Sequence, residues 1–264
     1  MTGRTPERQV LESLLAEIFS LQSDISVVHL WRGQADARWL PQPTLYRRLL
    51  ARYRPDQVTE NLVTRYETDL FCEANGRGFY KGSRLDTLVA LQHHGGATRF
   101  LDITRNPLIA LWFASDPASA DTDGVVYHFG LPLNQVLQAH EVGSWDRLVI
   151  PDSAGEVLAY FPRSKDARIR AQQAGFLLTV LDGSLEDRAP FDSDSEGLAV
   201  HKVTVPSDVK EQARQHLRDS AGITTVDVYP DFAGFSLANA SGAPFARDED
   251  GLYTGEKGLF PNGW

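Results

Sequence analysis

Residues 92–114 read QHHGGATRFLDITRNPLIALWFA, a short strand pattern followed directly by an apolar helix pattern. Residues 100–104 are apolar with polar positions between them, which predicts a buried strand. Asn106 suits the N-cap of a helix, and Pro107 suits its first position. Because the segment from Pro107 to Ala114 is apolar on nearly every side, we expect this helix to lie in the core beside the strand.

The segments on both sides of this stretch predict a mixture of helices and strands. Helical spacing of apolar residues predicts helices over residues 6–22, 56–73, 83 to 93 or 94, and 207–221, the last with Ser207 as its cap. Apolar and β-branched runs predict strands over residues 25–31, 124–129, 146–151, 176–181, 198–205 and 224–229. Since no regular βαβ rhythm connects them, we expect a single α+β domain over residues 1–240, with a mixed or antiparallel central sheet and flanking helices. Residues 241–264 are rich in Gly and Asp and are expected to form an irregular tail.

The composition excludes several classes of protein. No run of about 18 apolar residues predicts a membrane span, and the polar N-terminus does not resemble an export signal. Cys72 is the only cysteine of the 264 residues, which excludes an internal disulfide and a cysteine-rich metal site. We therefore expect a cytoplasmic protein. The net charge of −9 argues against a broad electrostatic contact with nucleic acid, although arginines cluster locally.

Trp31-Arg32-Gly33-Gln34 is the first candidate site, at the end of a predicted strand. A guanidinium offers two parallel donors to a phosphate, and a glycine lets a ligand approach the backbone. The alternative is a turn that carries a surface arginine.

Asp102 and Thr104 form the second candidate, because strand alternation places them on one face together with Phe100. A carboxylate beside an apolar strand needs a partner, and Arg99 or Arg32 could supply it. The alternative is a buried structural ion pair. His93 ends a helix without the spacing of a metal site, Asn106 is expected to cap a helix, and Arg105 is expected to face solvent.

The third candidate is the basic, amide-rich turn over residues 168–176. Its alternative interpretation is a helix end with Gly175 as the stop. The sequence lacks the phosphate-binding Gly-x-x-x-x-Gly-Lys-Ser/Thr loop, the Gly-x-Gly-x-x-Gly turn and the Gly-x-Ser-x-Gly elbow. Kinase, Rossmann dehydrogenase and α/β-hydrolase classes are therefore not supported.

Taken in order, these segments resemble the FRG domain family, which is named for a Phe-Arg-Gly motif. Its longest motif is matched by Gln92, His93, Gly95, Thr98, Arg99, Leu101, Asp102, Thr104, Asn106, Pro107, Ala110, Leu111, Phe113 and Ala114. Further matches are Trp31-Arg32-Gly33-Gln34, then Trp39 with residues 45–47, then Arg168-Ile169 with Gln172-Gln173 and Phe176, and finally Gly222-Ile223 with residues 229–231. Trp31 replaces the usual Phe, and Ala174 stands where Gly is common.

The motif order is also similar to that of ADP-ribosyltransferases, which implies that fold and NAD as a substrate. The resemblance implies that Arg32 binds the pyrophosphate and that Gly33 admits it to the backbone. The residues expected at NAD are Arg32, Gly33, Gln34, His93, Thr98, Arg99, Asn106 and Arg168. The residues expected in catalysis are Asp102, Thr104, Gln172 and Gln173. An amide cannot replace the usual glutamate as a base, so the acceptor brings its own nucleophile, or Asp102 acts, or the protein only binds.

The resemblance implies a transferase that modifies nucleic acid or protein, as a toxin or phage-defence effector with an antitoxin or regulator as partner. The alternative is a non-catalytic module that binds nucleotides or nucleic acid. A nuclease or other hydrolase would need a metal cluster that the sequence does not contain.

Overall fold

The protein is described by a computed structural model over residues 6–79, 83–137, 155–162, 166–186, 191 and 197–238. In these residues a mixed sheet has the strand order β4-β5-β6-β2-β1-β3-β7. Its strands are β1 (Val27–Gln34), β2 (Leu101–Thr104), β3 (Gly124–Pro132), β4 (Val136–Leu137), β5 (Val157–Tyr160), β6 (Ala174–Thr179) and β7 (Ala199–Val205). Only the β4–β5 pair is parallel, whereas the other neighbours in the sheet are antiparallel. The architecture is therefore α+β with a mixed sheet, as the sequence predicts.

Helices flank this sheet, and local capping sets several of their ends. They are α1 (Pro6–Ser20), α2 (Thr44–Leu50), α3 (Glu60–Gly76), α4 (Arg84–His93), α5 (Pro107–Ala114), α6 (Ala167–Ala171), α7 (Lys210–Ala221), α8 (Thr225–Val228) and α9 (Phe232–Ala238). The Ser83 hydroxyl caps α4, and the Asn106 side chain accepts the Leu108 N–H at the start of α5. Gly222 adopts a left-handed φ of 65° and ends α7.

Helix α5 packs closely on strands β1 and β3. A Cβ atom on Gly33 would overlap the carbonyl oxygen of Ala110, and one on Gly124 would overlap that of Ala114. The two glycines therefore let the helix backbone approach the sheet, and the apolar side chains around them join the core. Close packing against α5 is therefore sufficient to explain a glycine at position 33, and no bound ligand is needed to explain it.

Most elements predicted from the sequence are present, with ends that differ by a few residues. The predicted strand over residues 224–229 is wrong, because Thr225–Val228 forms helix α8. The hydroxyl of Thr224 and the carboxylate of Asp227 cap this turn reciprocally, and this local bonding overrides the β-branched pattern.

The predicted cap of α7 is also wrong. Ser207 begins a short 3-10 turn, Ser207–Val209, and its backbone N–H donates to Asp123, so α7 begins at Lys210. The predicted strand over residues 146–151 and the predicted tail over 241–264 lie outside the described residues. Within the described part of the chain, no helix is long and apolar enough to cross a membrane.

Candidate functional site

Arg32 lies where strands β1 and β2 stop pairing. The two strands are in register at Trp31 and Thr104. One residue further along β1, the Arg32 Nη1 atom donates to the carbonyl oxygen of Asp102 at 2.8 Å, and Nε donates to Oε1 of Gln34 at 2.9 Å. The Gln34 amide in turn donates to the carbonyl oxygen of Trp39 at 2.8 Å. An amide and a backbone carbonyl thus orient the guanidinium.

The positive charge of Arg32 is not neutralised by these bonds, because neither acceptor is charged. Burial lowers the pKa of Arg32, the nearby Asp102 carboxylate raises it, and the positive charge of Arg47 lowers it again. An arginine stays protonated under all these influences. The half-buried Arg32 guanidinium, with the positive charge of Arg47 nearby, forms a suitable environment for an anion.

The side chain of Asp102 is exposed, and its contact is with helix α4. Nε2 of Gln92 donates to Asp102 Oδ2 at 3.0 Å, and Oε1 of Gln92 accepts the Thr98 hydroxyl at 2.7 Å. The expected pairing of this carboxylate with Arg99 or Arg32 is wrong, since Arg32 reaches only the Asp102 carbonyl. An exposed carboxylate remains hydrated and requires no ionic partner.

Arg99 is fully buried and forms an ion pair with helix α3. Its Nε lies 2.8 Å from Oε2 of Glu67, and its Nη1 lies 2.9 Å from Oε1 of Glu60. The implied contact of Arg99 with NAD is therefore wrong, because the guanidinium is enclosed by protein. Thr98 is equally buried, so its hydroxyl positions Gln92 instead of reaching a ligand. Sequence reasoning missed both glutamates because they lie more than 30 residues before their partner.

Thr104 and Gln172 join the second and third sequence candidates. The Thr104 hydroxyl donates to the carbonyl oxygen of Gln172 at 2.6 Å and accepts the Asn106 N–H at 3.0 Å. The carbonyl of Gln173 accepts the Arg105 N–H at 3.2 Å. The segments therefore meet at the end of β2, but Thr104 is buried and its hydroxyl bonds backbone groups. The Gln172 amide likewise donates to Val228, at 3.2 Å.

The turn before β6 differs from its expected form. Helix α6 ends before Gln173, which has a left-handed φ of 46°, whereas Gly175 lies within the strand. The expectation that Gly175 stops the helix is wrong. A Cβ atom on Gly175 would overlap the ring of Phe161, so close packing explains this glycine. The Arg105 guanidinium stacks 3.7 Å from the centre of that same ring and is exposed, as expected.

A second polar group lies beside helices α4, α6 and α8. His93 Nε2 is 3.2 Å from Asp166 Oδ2, and Arg168 Nη2 is 2.7 Å from Asp231 Oδ2. The Arg168 guanidinium also lies 4.8 Å from the centre of the Tyr229 ring. Burial lowers the pKa of His93, and Asp166 opposes this effect. Because Asp231 already neutralises Arg168, a phosphate at Arg168 would have to compete with that carboxylate.

The sequence pointed to Tyr229 and Asp231 only through the family resemblance, and it did not point to Asp166. Asp166 caps helix α6 by accepting the Arg168 and Ile169 N–H groups. An Asp immediately before a short basic helix was the available signal. Among the described residues, no group of His, Cys, Asp or Glu has the arrangement of a metal site.

Comparison with known families identifies part of this architecture. Residues 28–123 match the family model of the FRG domain, so the chain contains an FRG domain. The match includes Arg32, Gln92 and Asp102, whereas Gln172 and the Arg168–Asp231 pair lie beyond it. No curated protein and no solved structure matches the chain.

Proposed function

We propose that the protein is an NAD-dependent ADP-ribosyltransferase that binds the pyrophosphate of NAD at Arg32. The observation that carries the proposal is the burial, orientation and hydrogen bonding of the Arg32 guanidinium. It is half-buried, it is oriented by Gln34 and by the Asp102 carbonyl, and among the described residues its bonds go to uncharged oxygens. A preoriented arginine of this kind binds a pyrophosphate with little loss of side-chain entropy.

The proposed reaction breaks the bond between the ribose C1′ carbon and the nicotinamide nitrogen. Nicotinamide leaves with the bonding electrons, and positive charge develops on the ribose. The acceptor nucleophile then forms a bond to C1′ and loses its proton. The exposed carboxylate of Asp102, held by Gln92, is the group we assign to stabilising that positive charge or to taking the proton. The acceptor is a nucleic acid or a protein.

A non-catalytic nucleotide- or nucleic-acid-binding module is the second candidate. The observation that favours it concerns Thr104 and Gln172, whose polar groups are bonded to the backbone. This leaves Asp102 as the acid–base group that adjoins Arg32 in the FRG segment. If Asp102 does not act on a bound nucleotide, the site binds without turnover.

The test is incubation of the protein with NAD that carries radiolabel on the adenylate phosphate or on nicotinamide. DNA, RNA and cell lysate serve as acceptors in separate reactions. We expect nicotinamide release and transfer of the adenylate label to one acceptor class. Arg32→Ala should lower both by about a hundredfold, since removal of a single preorganised charge-stabilising donor has effects of this size.

Arg77→Ala is the matched control, because Arg77 is exposed at the end of α3 and pairs with Glu73 on the same surface. It should leave NAD consumption unchanged. Unchanged NAD consumption in Arg32→Ala would remove Arg32 from the site. Saturable NAD binding by the wild-type protein without nicotinamide release would favour the binding module.

A further inference from the structure

Trp39 is a large apolar side chain that remains 55% exposed on the loop after β1. Its backbone, in contrast, is held by core residues. The Trp39 carbonyl oxygen accepts the Gln34 amide at 2.8 Å and the Tyr127 hydroxyl at 3.4 Å. Both donors are buried. The loop therefore presents the indole ring to solvent from a fixed backbone position.

Other bonds fix the same loop. The Ala37 N–H donates to Asp123 at 2.7 Å, and the Trp39 N–H donates to Asp36 at 3.1 Å. The buried Asp36 carboxylate accepts the backbone N–H and the guanidinium of Arg38. These contacts stabilise the turn and favour one orientation of the chain at Trp39. The ordered loop therefore leaves a flat aromatic ring exposed to solvent, with its apolar body available for contact with another ring.

The Gln34 side chain connects the backbone carbonyl of Trp39 to the guanidinium of Arg32. Its Oε1 accepts Arg32 Nε at 2.9 Å, while its Nε2 donates to Trp39. Tyr127 lies opposite Arg32 in the β1–β3 register. The Lys202 ammonium lies 5.7 Å from the centre of the Tyr127 ring. The Trp39 backbone therefore lies beside a face of the sheet where Arg32, Arg47 and Lys202 contribute positive charge.

We propose that the Trp39 indole is the stacking platform for a heteroaromatic ring of the nucleotide whose pyrophosphate binds Arg32. This inference rests on the proposed function and names the ring-binding part of the same site. A nucleotide combines an anionic pyrophosphate with flat aromatic rings. The loop offers a matching pair, because the Gln34 amide bonds both the Arg32 guanidinium and the backbone carbonyl of Trp39, the residue that carries the exposed indole. Stacking of a base on an aromatic side chain is a strong and sequence-tolerant contact.

The test is calorimetric titration of the wild-type protein, Trp39→Leu and Trp39→Phe with NAD, ADP and inorganic pyrophosphate. We expect Trp39→Leu to weaken the binding of NAD and ADP by about tenfold or more. Pyrophosphate has no ring, so we expect Trp39→Leu to change its affinity by less than about twofold. A change of that size is within the precision of a matched comparison. Trp39→Phe should restore part of the lost NAD affinity. Phe79→Leu removes an exposed aromatic ring elsewhere and should bind all three ligands as the wild type does.

Two outcomes overturn the inference and leave the proposed function standing. The first is unchanged NAD and ADP affinity in Trp39→Leu, with binding that still depends on Arg32. The second is an equal loss for all three ligands, which would mean that Trp39 supports the loop and not the ring. Absence of NAD and pyrophosphate binding by the wild-type protein would overturn the proposed function and this inference together.

Discussion

Arg99 places a positive charge in the protein interior, with 0% of its side chain exposed. Glu67 is equally buried, and Glu60 is largely so. Burial raises the pKa of Glu67, and the charge of Arg99 opposes this effect. The Arg99 N–H also donates to Glu67 at 3.1 Å. These bonds fix helix α3 against Arg99, two residues before β2, so the ion pair supports the position of the site without reaching it.

Removal of Glu67 should destabilise the fold far more than removal of a surface glutamate. Glu67→Leu leaves Arg99 with a reduced set of acceptors in the core, and we expect the free energy of unfolding to fall by about 3–5 kcal/mol. Urea denaturation followed by circular dichroism measures this change. Glu73→Gln interrupts the exposed pair with Arg77 and should cost less than about 1 kcal/mol. Equal losses in the two variants would contradict a structural role for the Arg99–Glu67 pair.

Strand β1, strand β3 and helix α5 form one packed unit around two glycines. The space that a Cβ atom would need at Gly33 is occupied by the carbonyl oxygen of Ala110. The corresponding space at Gly124 is occupied by the carbonyl oxygen of Ala114. Because backbone atoms are not free to move independently, the space cannot be recovered by a side-chain rotation. The position of Arg32 depends on this packing, since it adjoins Gly33 on the strand.

Gly33→Ala should therefore lower stability by about 2 kcal/mol or more, because the new Cβ atom forces α5 away from the sheet. Gly76→Ala is the control, since a Cβ atom there meets open space at the end of α3. It should be neutral or stabilise by up to about 1 kcal/mol. Thermal unfolding of both variants beside the wild type measures the difference. A Gly33→Ala variant as stable as the wild type would show that α5 does not approach the sheet this closely.

Three histidines lie side by side across strands β1, β3 and β7. His29 Nδ1 is 2.9 Å from His128 Nε2, and the His128 and His201 rings stack with their centres 5.6 Å apart. Burial lowers the pKa of His128 to about 4, with further contributions from His29 and His201. His128 is therefore neutral in the folded protein at pH values where an unfolded histidine is already charged.

The pH dependence of stability follows from this shift. Between pH 6.5 and about pH 4 the unfolded chain binds a proton at His128 that the folded chain does not bind. The free energy of unfolding should consequently fall as the pH falls through this range, by about 2–3 kcal/mol from this residue. Urea titrations of the wild type and His128→Gln at several pH values measure it, with His216→Gln on the exposed surface as control. An identical pH slope in wild type and His128→Gln would contradict the assignment.

At the scale of the whole molecule, the central strands bring together residues that are far apart in the chain. Arg32 and Asp102 are 70 positions apart, and Thr104 and Gln172 are 68 positions apart. Strand β2 lies between β1 and β6 in the sheet. It therefore brings the contact with β1, at Asp102, within a few residues of the contact with the turn before β6, at Thr104. The FRG segment supplies Arg32, Gln92 and Asp102, and later parts of the chain supply the Arg168–Asp231 pair.

Local patterns in the sequence predict most helices and strands, including β2, the Asn106 cap and the buried helix α5. Strand order and side-chain partners depend on contacts between distant segments, and one sequence does not contain them. For this reason the motif around residues 98–102 suggested a ligand at Arg99, whose partners come from α3. The same reasoning left a buried ion pair open as the alternative at Asp102, whose side chain is exposed. The site assigned to Arg32 stays a prediction, and β1 continues past the predicted strand end at Trp31 as far as Gln34 because it pairs with the distant strand β3.

The most direct measurement of the central claim is calorimetric titration of NAD into the wild-type protein, Arg32→Ala and Arg77→Ala. The account predicts saturable binding by the wild type, the same affinity in Arg77→Ala, and an affinity at least about thirtyfold lower in Arg32→Ala, the lower end expected for loss of a buried charged contact. All three proteins should retain the same circular dichroism spectrum. Binding of NAD by Arg32→Ala with the affinity of the wild type would contradict the claim that this arginine anchors the nucleotide.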